Sequence, residues 1–128
     1  MSMEKLEEEK IMLSYLVQVT YESKVWSVLL RNPENRFNII AEVINDLEGT
    51  MKCAYLTFGV YDAIIIVELP DPIAAAAFSM TLMASGVFKT VKTTPLMEWE
   101  EGLEAMKKAK KVTYHPPKPD TIYLDRSS

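Results

Sequence analysis

Two short runs of β-branched and aromatic residues, 51–58 (MKCAYLTF) and 63–69 (AIIIVEL), are separated only by Gly59-Val60-Tyr61-Asp62. Both runs are short for helices and rich in strand formers, and a four-residue junction containing glycine closes a hairpin. They are expected to be antiparallel neighbours, so the rest of the chain must build outward from this pair. Upstream, residues 12–21 (MLSYLVQVTY) alternate Ser14, Leu16, Gln18 and Thr20 against Tyr15, Val17, Val19 and Tyr21, which predicts a first strand. Downstream, residues 87–93 (VFKTVKT) predict a fourth.

Helical patterns fill the two gaps. Ser23 is placed to cap a short helix through Arg31, on which Trp26, Leu29 and Leu30 share a face. Asn32-Pro33 then supplies a cap and a first-turn proline for a second piece. In that piece Phe37, Ile40, Ala41, Ile44 and Leu47 recur at helical spacing, with Gly49 as the expected left-handed stop. Asp71-Pro72 repeats the cap-and-proline device before an Ala-rich helix to Ser85, which Gly86 ends. A last helix is expected from Leu96 to Lys110, acidic at its start and basic at its end, with Trp99, Leu103 and Met106 on its apolar face. The order strand, helix, strand, strand, helix, strand is a split βαβ duplicated about the hairpin. The expected fold class is therefore α+β: a ferredoxin-like βαββαβ arrangement with a four-stranded antiparallel sheet, helices on one side, and an added C-terminal helix.

Length and charge bound the rest. At 128 residues, 48% of them hydrophobic, the chain has enough apolar material for one core without covalent staples. The expected organisation is a polar arm over residues 1–10, one domain over 11–111, and an extended tail over 112–128 holding Pro116, Pro117 and Pro119. Residues Ile122 to Leu124 either add a strand to a neighbouring sheet edge or belong to a mobile tail. A single cysteine, Cys53, and a charged start without an apolar leader imply a reducing, cytoplasmic setting. A net charge of -4 argues against nucleic acid as a partner. The uncharged run 72–88 is too short and too interrupted to span a membrane.

The sheet face away from the helices is the most informative surface. With Val17, Val19, Ile65 and Val67 turned to the helices, the other face presents Leu16, Gln18, Tyr55, Thr57, Ile64, Ile66 and Glu68. That mixture is too apolar for water and too polar for an ordinary core, so a second copy is expected to cover it, sheet against sheet. Its polar members would line a shared cavity.

The stretch YLVQVTYES, the pair Asn32-Pro33 with Arg36 behind it, and the runs FGVYDAIIIVELPD and ASGVFKTVKTTPLM carry a family likeness. Over about residues 13 to 110 the chain resembles the GYD domain family, whose signature is a glycine followed closely by Tyr-Asp, here Gly59, Tyr61 and Asp62. The resemblance implies a dimeric α+β barrel and no settled biochemical activity. The hairpin and fourth strand are more distantly similar to the effector-binding domain of leucine-responsive regulators, without the helix-turn-helix or basic surface of such a protein.

Candidate ligand-binding residues follow from the open face and the hairpin. Asp62 is placed to hold a proton or a ligand amine, or to bond turn amides; Tyr61 beside it can donate its hydroxyl or simply pack. Glu68 shares the face of Asp62 by alternation, with Lys92 and Arg36 as possible cationic companions, and Gln18, Tyr55, Thr57 and Thr90 are neutral candidates. One cysteine and one histidine, His115, give no zinc set; no metal or other cofactor is expected, and the four glycines form no phosphate loop. The expected function is a non-catalytic homo-oligomer binding a small organic ligand or a partner between paired sheets. The alternative is a cofactor-independent oxygenase or isomerase with Asp62 or Glu68 as base.

Overall fold

The computed structural model describes residues 11–119. The arm over residues 1–10 and the apolar end of the tail, Ile122 to Leu124, lie outside the described residues. The chain divides into two compact units, one reaching Leu96 and the other starting at Met97. In the first, β1 (Leu13–Tyr21) is followed by α1 (Ser23–Arg31), α2 (Phe37–Asp46), β2 (Thr50–Leu56), β3 (Ala63–Leu69), α3 (Pro72–Ala84) and β4 (Phe88–Leu96). The strands form one antiparallel sheet in the order β2-β3-β1-β4, the ferredoxin-like arrangement expected. The second unit holds α4 (Trp99–Lys110), where Glu101 Oε1 accepts the Glu98 N–H at 3.4 Å. The helix therefore begins three residues beyond its expected start, with Glu98 rather than Met97 in the capping position.

Alternation decides the faces of the sheet. Tyr15, Val17, Val19 and Tyr21 of β1 and Ala63, Ile65, Val67 and Leu69 of β3 are buried, and they meet Ile40 and Ile44 of α2 and Ala75, Phe78 and Leu82 of α3. Each large apolar side chain removed from water this way contributes roughly 1.5–3 kcal/mol before the entropy of ordering is subtracted. A direct polar tie adds to the packing where Ser79 Oγ of α3 lies 2.6 Å from Thr93 Oγ1 of β4.

Three helix boundaries of the first unit also depart from expectation. Ser23 is the first residue of α1, not its cap: Glu22 occupies that position in extended conformation and makes no side-chain cap bond. Pro33 does not open α2, which starts at Phe37, and the bond expected of Asn32 is made by Asn35, whose Oδ1 accepts the Phe37 N–H at 3.0 Å. Residues 32–36 thus form an irregular link, long enough to hold the ends of α1 and α2 apart. At the end of α2 the left-handed residue is Glu48 (φ 61), while the neighbouring Gly49 donates its N–H to the Ile44 carbonyl at 2.9 Å. Glycine is required there by crowding: a Cβ on Gly49 would stand 2.5 Å from the Glu68 carbonyl oxygen and 2.6 Å from Leu69 Cδ2. Asp71 and Gly86 behave as expected. Asp71 Oδ1 accepts the Ala74 N–H at 2.8 Å, and Gly86 follows α3 with φ 76.

Candidate functional site

Register places the open-face candidates in rows. Tyr55, Ile64, Gln18 and Lys92 are successive partners across all four strands, and Cys53, Ile66, Leu16 and Thr94 form the next row. Beyond them on one side, Thr20 and Thr90 are partners and their hydroxyls are hydrogen-bonded to each other. On the other, Glu68 pairs with Ser14 and Thr50, and its Oε1 lies 3.7 Å from Lys52 Nζ. Leu16, Ile64 and Ile66 remain partly exposed, and Tyr55 and Lys92 are exposed, which makes a surface of apolar centre and polar margins. Thr57 lies beyond the paired residues of β2 and is engaged within the loop. Its hydroxyl donates to the Tyr61 carbonyl and its backbone N–H to the Asp62 carbonyl at 2.8 Å, closing the β2–β3 loop.

Asp62 extends the ladder through its N–H, which donates to the Val19 carbonyl at 2.8 Å, but its carboxylate does not join Glu68 on the open face. Oδ2 accepts two hydrogen bonds instead, one from the Tyr21 backbone N–H at 2.9 Å and one from the Trp26 indole Nε1–H at 3.2 Å. Trp26 belongs to α1, so Asp62 is directed around the end of the sheet toward the helices. The β1–β4 pairing shifts register at this point, Thr20 facing Thr90 and Tyr21 facing Phe88, so that Lys89 of β4 is the extra residue. Asp62 thereby fixes α1 to the end of the sheet. Tyr21 is held between two rings, edge-on to Trp26 at 5.4 Å and stacked on Phe88 at 5.2 Å.

On this helix side the gap left by residues 32–36 opens a cleft of about 710 Å³. Its walls are Trp26 and Leu29 of α1, Phe37 at the head of α2, and Ala54 and Leu56 of β2; Tyr21 and Arg36 bring polar groups to it. Arg36 Nη1 lies 2.9 Å from Glu34 Oε1, both half-exposed at the rim. Burial raises the Tyr21 phenol above its ordinary value of 10.0; the nearby Arg36 charge opposes that rise and the Asp62 charge adds to it. A smaller recess of about 440 Å³ at the other edge of the same sheet end is lined by Tyr61, Thr20, Thr90 and Lys92.

The candidates read from the sequence therefore divide. Gln18, Tyr55, Glu68, Thr90 and Lys92 occupy the open face, with Tyr61 at its margin. Arg36 lies in the cleft behind the sheet, Asp62 braces two of the residues that line it, and Thr57 serves its loop. Sequence patterns mark Tyr21, Trp26, Leu29 and Phe37 only as members of strand or helix faces. The signal that points to the cleft is the Asn32-Pro33 break with Arg36 behind it, which marks where two helices part. Among the described residues there is no group of three His, Cys, Asp or Glu side chains placed to hold a metal ion, and no helix is long and apolar enough to cross a membrane.

Comparison with known proteins finds no match among curated proteins. Among solved structures, the crystal structure of PH0061 aligns over 77% of this chain at 17% identity with a TM-score of 0.44, and the chain spans 60% of that protein's length. The model of the GYD domain matches residues 15–106, which hold all of β1 but its first two residues, β2 to β4 and α1 to α3, together with the Gly59, Tyr61 and Asp62 signature at the hairpin. The chain belongs to the GYD domain family.

Proposed function

We propose that the protein is a homo-oligomer in which two copies pair their open sheet faces and enclose a chamber for a small organic molecule. One observation carries this reading: Leu16, Ile64 and Ile66 form a partly exposed apolar centre, bordered by Gln18, Tyr55, Lys92 and the Glu68–Lys52 pair. Two sheets packed face to face stand ~10 Å apart, so the apolar centre would be dried while the polar margin needs partners across the interface or within the chamber. The margin offers donors and acceptors of both signs, which suits an uncharged or zwitterionic polar organic molecule. Binding is favoured over catalysis because both carboxylates suggested as bases are engaged, Asp62 by two N–H donors and Glu68 by Lys52.

Sedimentation equilibrium at micromolar concentration tests the pairing. The expected mass is that of a dimer or a multiple of it, and Ile66→Glu is expected to give a folded monomer, because a carboxylate at the centre of the interface would be desolvated without a partner. A monomeric wild type overturns the proposal. Native mass spectrometry of the freshly purified protein then asks whether a small molecule leaves with the dimer.

A further inference from the structure

The cleft behind the sheet is a separate site, and it does not depend on the pairing of open faces. The geometry points to this cleft as a binding site for a small organic anion, a carboxylate on an apolar or aromatic body, with Arg36 and the Tyr21 hydroxyl taking the carboxylate and Trp26, Leu29 and Phe37 taking the body.

Three features support the assignment. The first is an unused polar group: Tyr21 is only 6% exposed and lines both recesses, its hydroxyl makes no hydrogen bond among the described residues, none of their fully buried polar atoms lacks a partner, and the cation acting on its phenol is Arg36, which lines the cleft and not the smaller recess. A donor held so deep by Trp26 and Phe88 is fixed in direction, which favours a ligand acceptor over mobile water. The second is the local field. The Arg36 charge opposes the rise that burial and the Asp62 charge cause at the Tyr21 phenol, so the guanidinium lies within electrostatic reach of that hydroxyl. The head of the ten-residue α2, with Arg36 and Phe37 in the wall, adds the positive end of its dipole. The third is the guanidinium itself. It already holds a carboxylate, Glu34 at 2.9 Å, but as a solvent-exposed pair between residues two apart, a weak contact that a ligand carboxylate can exchange for a two-pronged one. The volume of about 710 Å³ admits a carboxylic acid with a ring or a short branched chain.

The test uses 3-phenylpropionate and its neutral amide, 3-phenylpropionamide, titrated into the ¹⁵N-labelled full chain. The readout is the Trp26 indole Nε1–H resonance, assigned with the Trp99→Phe variant. The expected result is a saturable shift with the carboxylate and at least tenfold weaker binding of the amide. Arg36→Gln is expected to weaken carboxylate binding at least tenfold and Tyr21→Phe about threefold, while Glu34→Gln tightens it by freeing the guanidinium. The proposal is overturned by an unsaturable or absent shift with 3-phenylpropionate, by equal binding of acid and amide, or by a Glu34→Gln variant that binds more weakly. The acid and amide are compared on the wild type, so that comparison holds even where a variant folds poorly. Because the cleft is formed within one protomer, the result is the same whether the protein sediments as monomer or dimer.

Discussion

At the residue scale, two positions carry more than their type suggests. Gly49 is needed because β3 passes so close that a methyl group would overlap the Glu68 carbonyl and Leu69. Backbone cannot yield as a flexible side chain can, so Gly49→Ala is expected to cost about 2 kcal/mol, seen as a lower urea midpoint at unchanged slope. A change below ~0.5 kcal/mol, within the usual surface range, would mean the two segments separate easily. Asp62 is the second. Replacing it with alanine strips an acceptor from the Tyr21 N–H and the Trp26 indole, and about 2 kcal/mol of loss is expected. Asp62→Asn, which keeps an acceptor oxygen, is expected to lose about half as much, and in both variants the Trp26 indole proton resonance should move upfield as its bond weakens. The signature Tyr-Asp pair is visible in the sequence, but the direction of the carboxylate is not. Strict alternation puts Asp62 beside Glu68, and the hydrogen bonds from the Tyr21 N–H and the Trp26 indole hold its carboxylate on the other side.

Tyr21 adds a pH dependence at the same scale. Its folded-state phenol is raised above 10.0, chiefly by burial, so above that pH the unfolded chain has lost the proton while the folded chain still holds it. Fewer protons are then bound in the unfolded state, and the stability of the fold falls as pH rises from 10.0 through the higher folded value. Well below pH 10.0 this residue contributes no slope. Urea unfolding between pH 9 and 11 is expected to show a steeper decline for the wild type than for Tyr21→Phe; identical slopes would remove the burial effect.

At the element scale, the strands and the order of elements are legible because their signals are redundant. Period-two alternation in β1 and β3 matches the buried faces residue for residue, and Ile40 and Ile44 fall on the helical stripe that buries them. Helix ends are less legible, since several residues near each boundary have capping chemistry and only geometry selects one. Ser23 and Asn32 lose that competition to Glu22 and Asn35, whereas Asp71 wins it. The difference is measurable. Asp71→Ala is expected to cost about 1 kcal/mol in thermal or urea unfolding, because the Ala74 N–H loses its acceptor, while Ser23→Ala is expected to cost less than about 0.5 kcal/mol. Equal losses would mean that Ser23 caps α1 in solution. The cleft is only partly legible for a related reason: Asn32-Pro33 marks where the helices part, but the space comes from the length of the 32–36 link, which no residue type there specifies.

At the scale of the whole molecule, the question is how much chain the core requires. The buried cluster runs from Tyr15 to Phe88, and its partly buried neighbours end at Val91, so the cluster lies wholly within the unit that closes at Leu96. α4 has no buried residue; its order comes from the Glu98–Glu101 arrangement at its start and the Lys107, Lys108 and Lys110 charges at its end, terms worth a few tenths of a kcal/mol each. A chain ending at Met97 is therefore expected to keep one cooperative urea transition with a slope close to that of the full chain, because slope follows the surface buried on folding. A chain ending at Thr90 is expected to lose it, since the partners of Leu16 to Val19 on β4 go with the deletion and expose β1 as a new edge. If the longer fragment also unfolds without cooperativity, residues beyond 97 belong to the folding unit. If the shorter one folds, the β2-β3-β1 half of the sheet is a stable core alone and β4 is an addition to it.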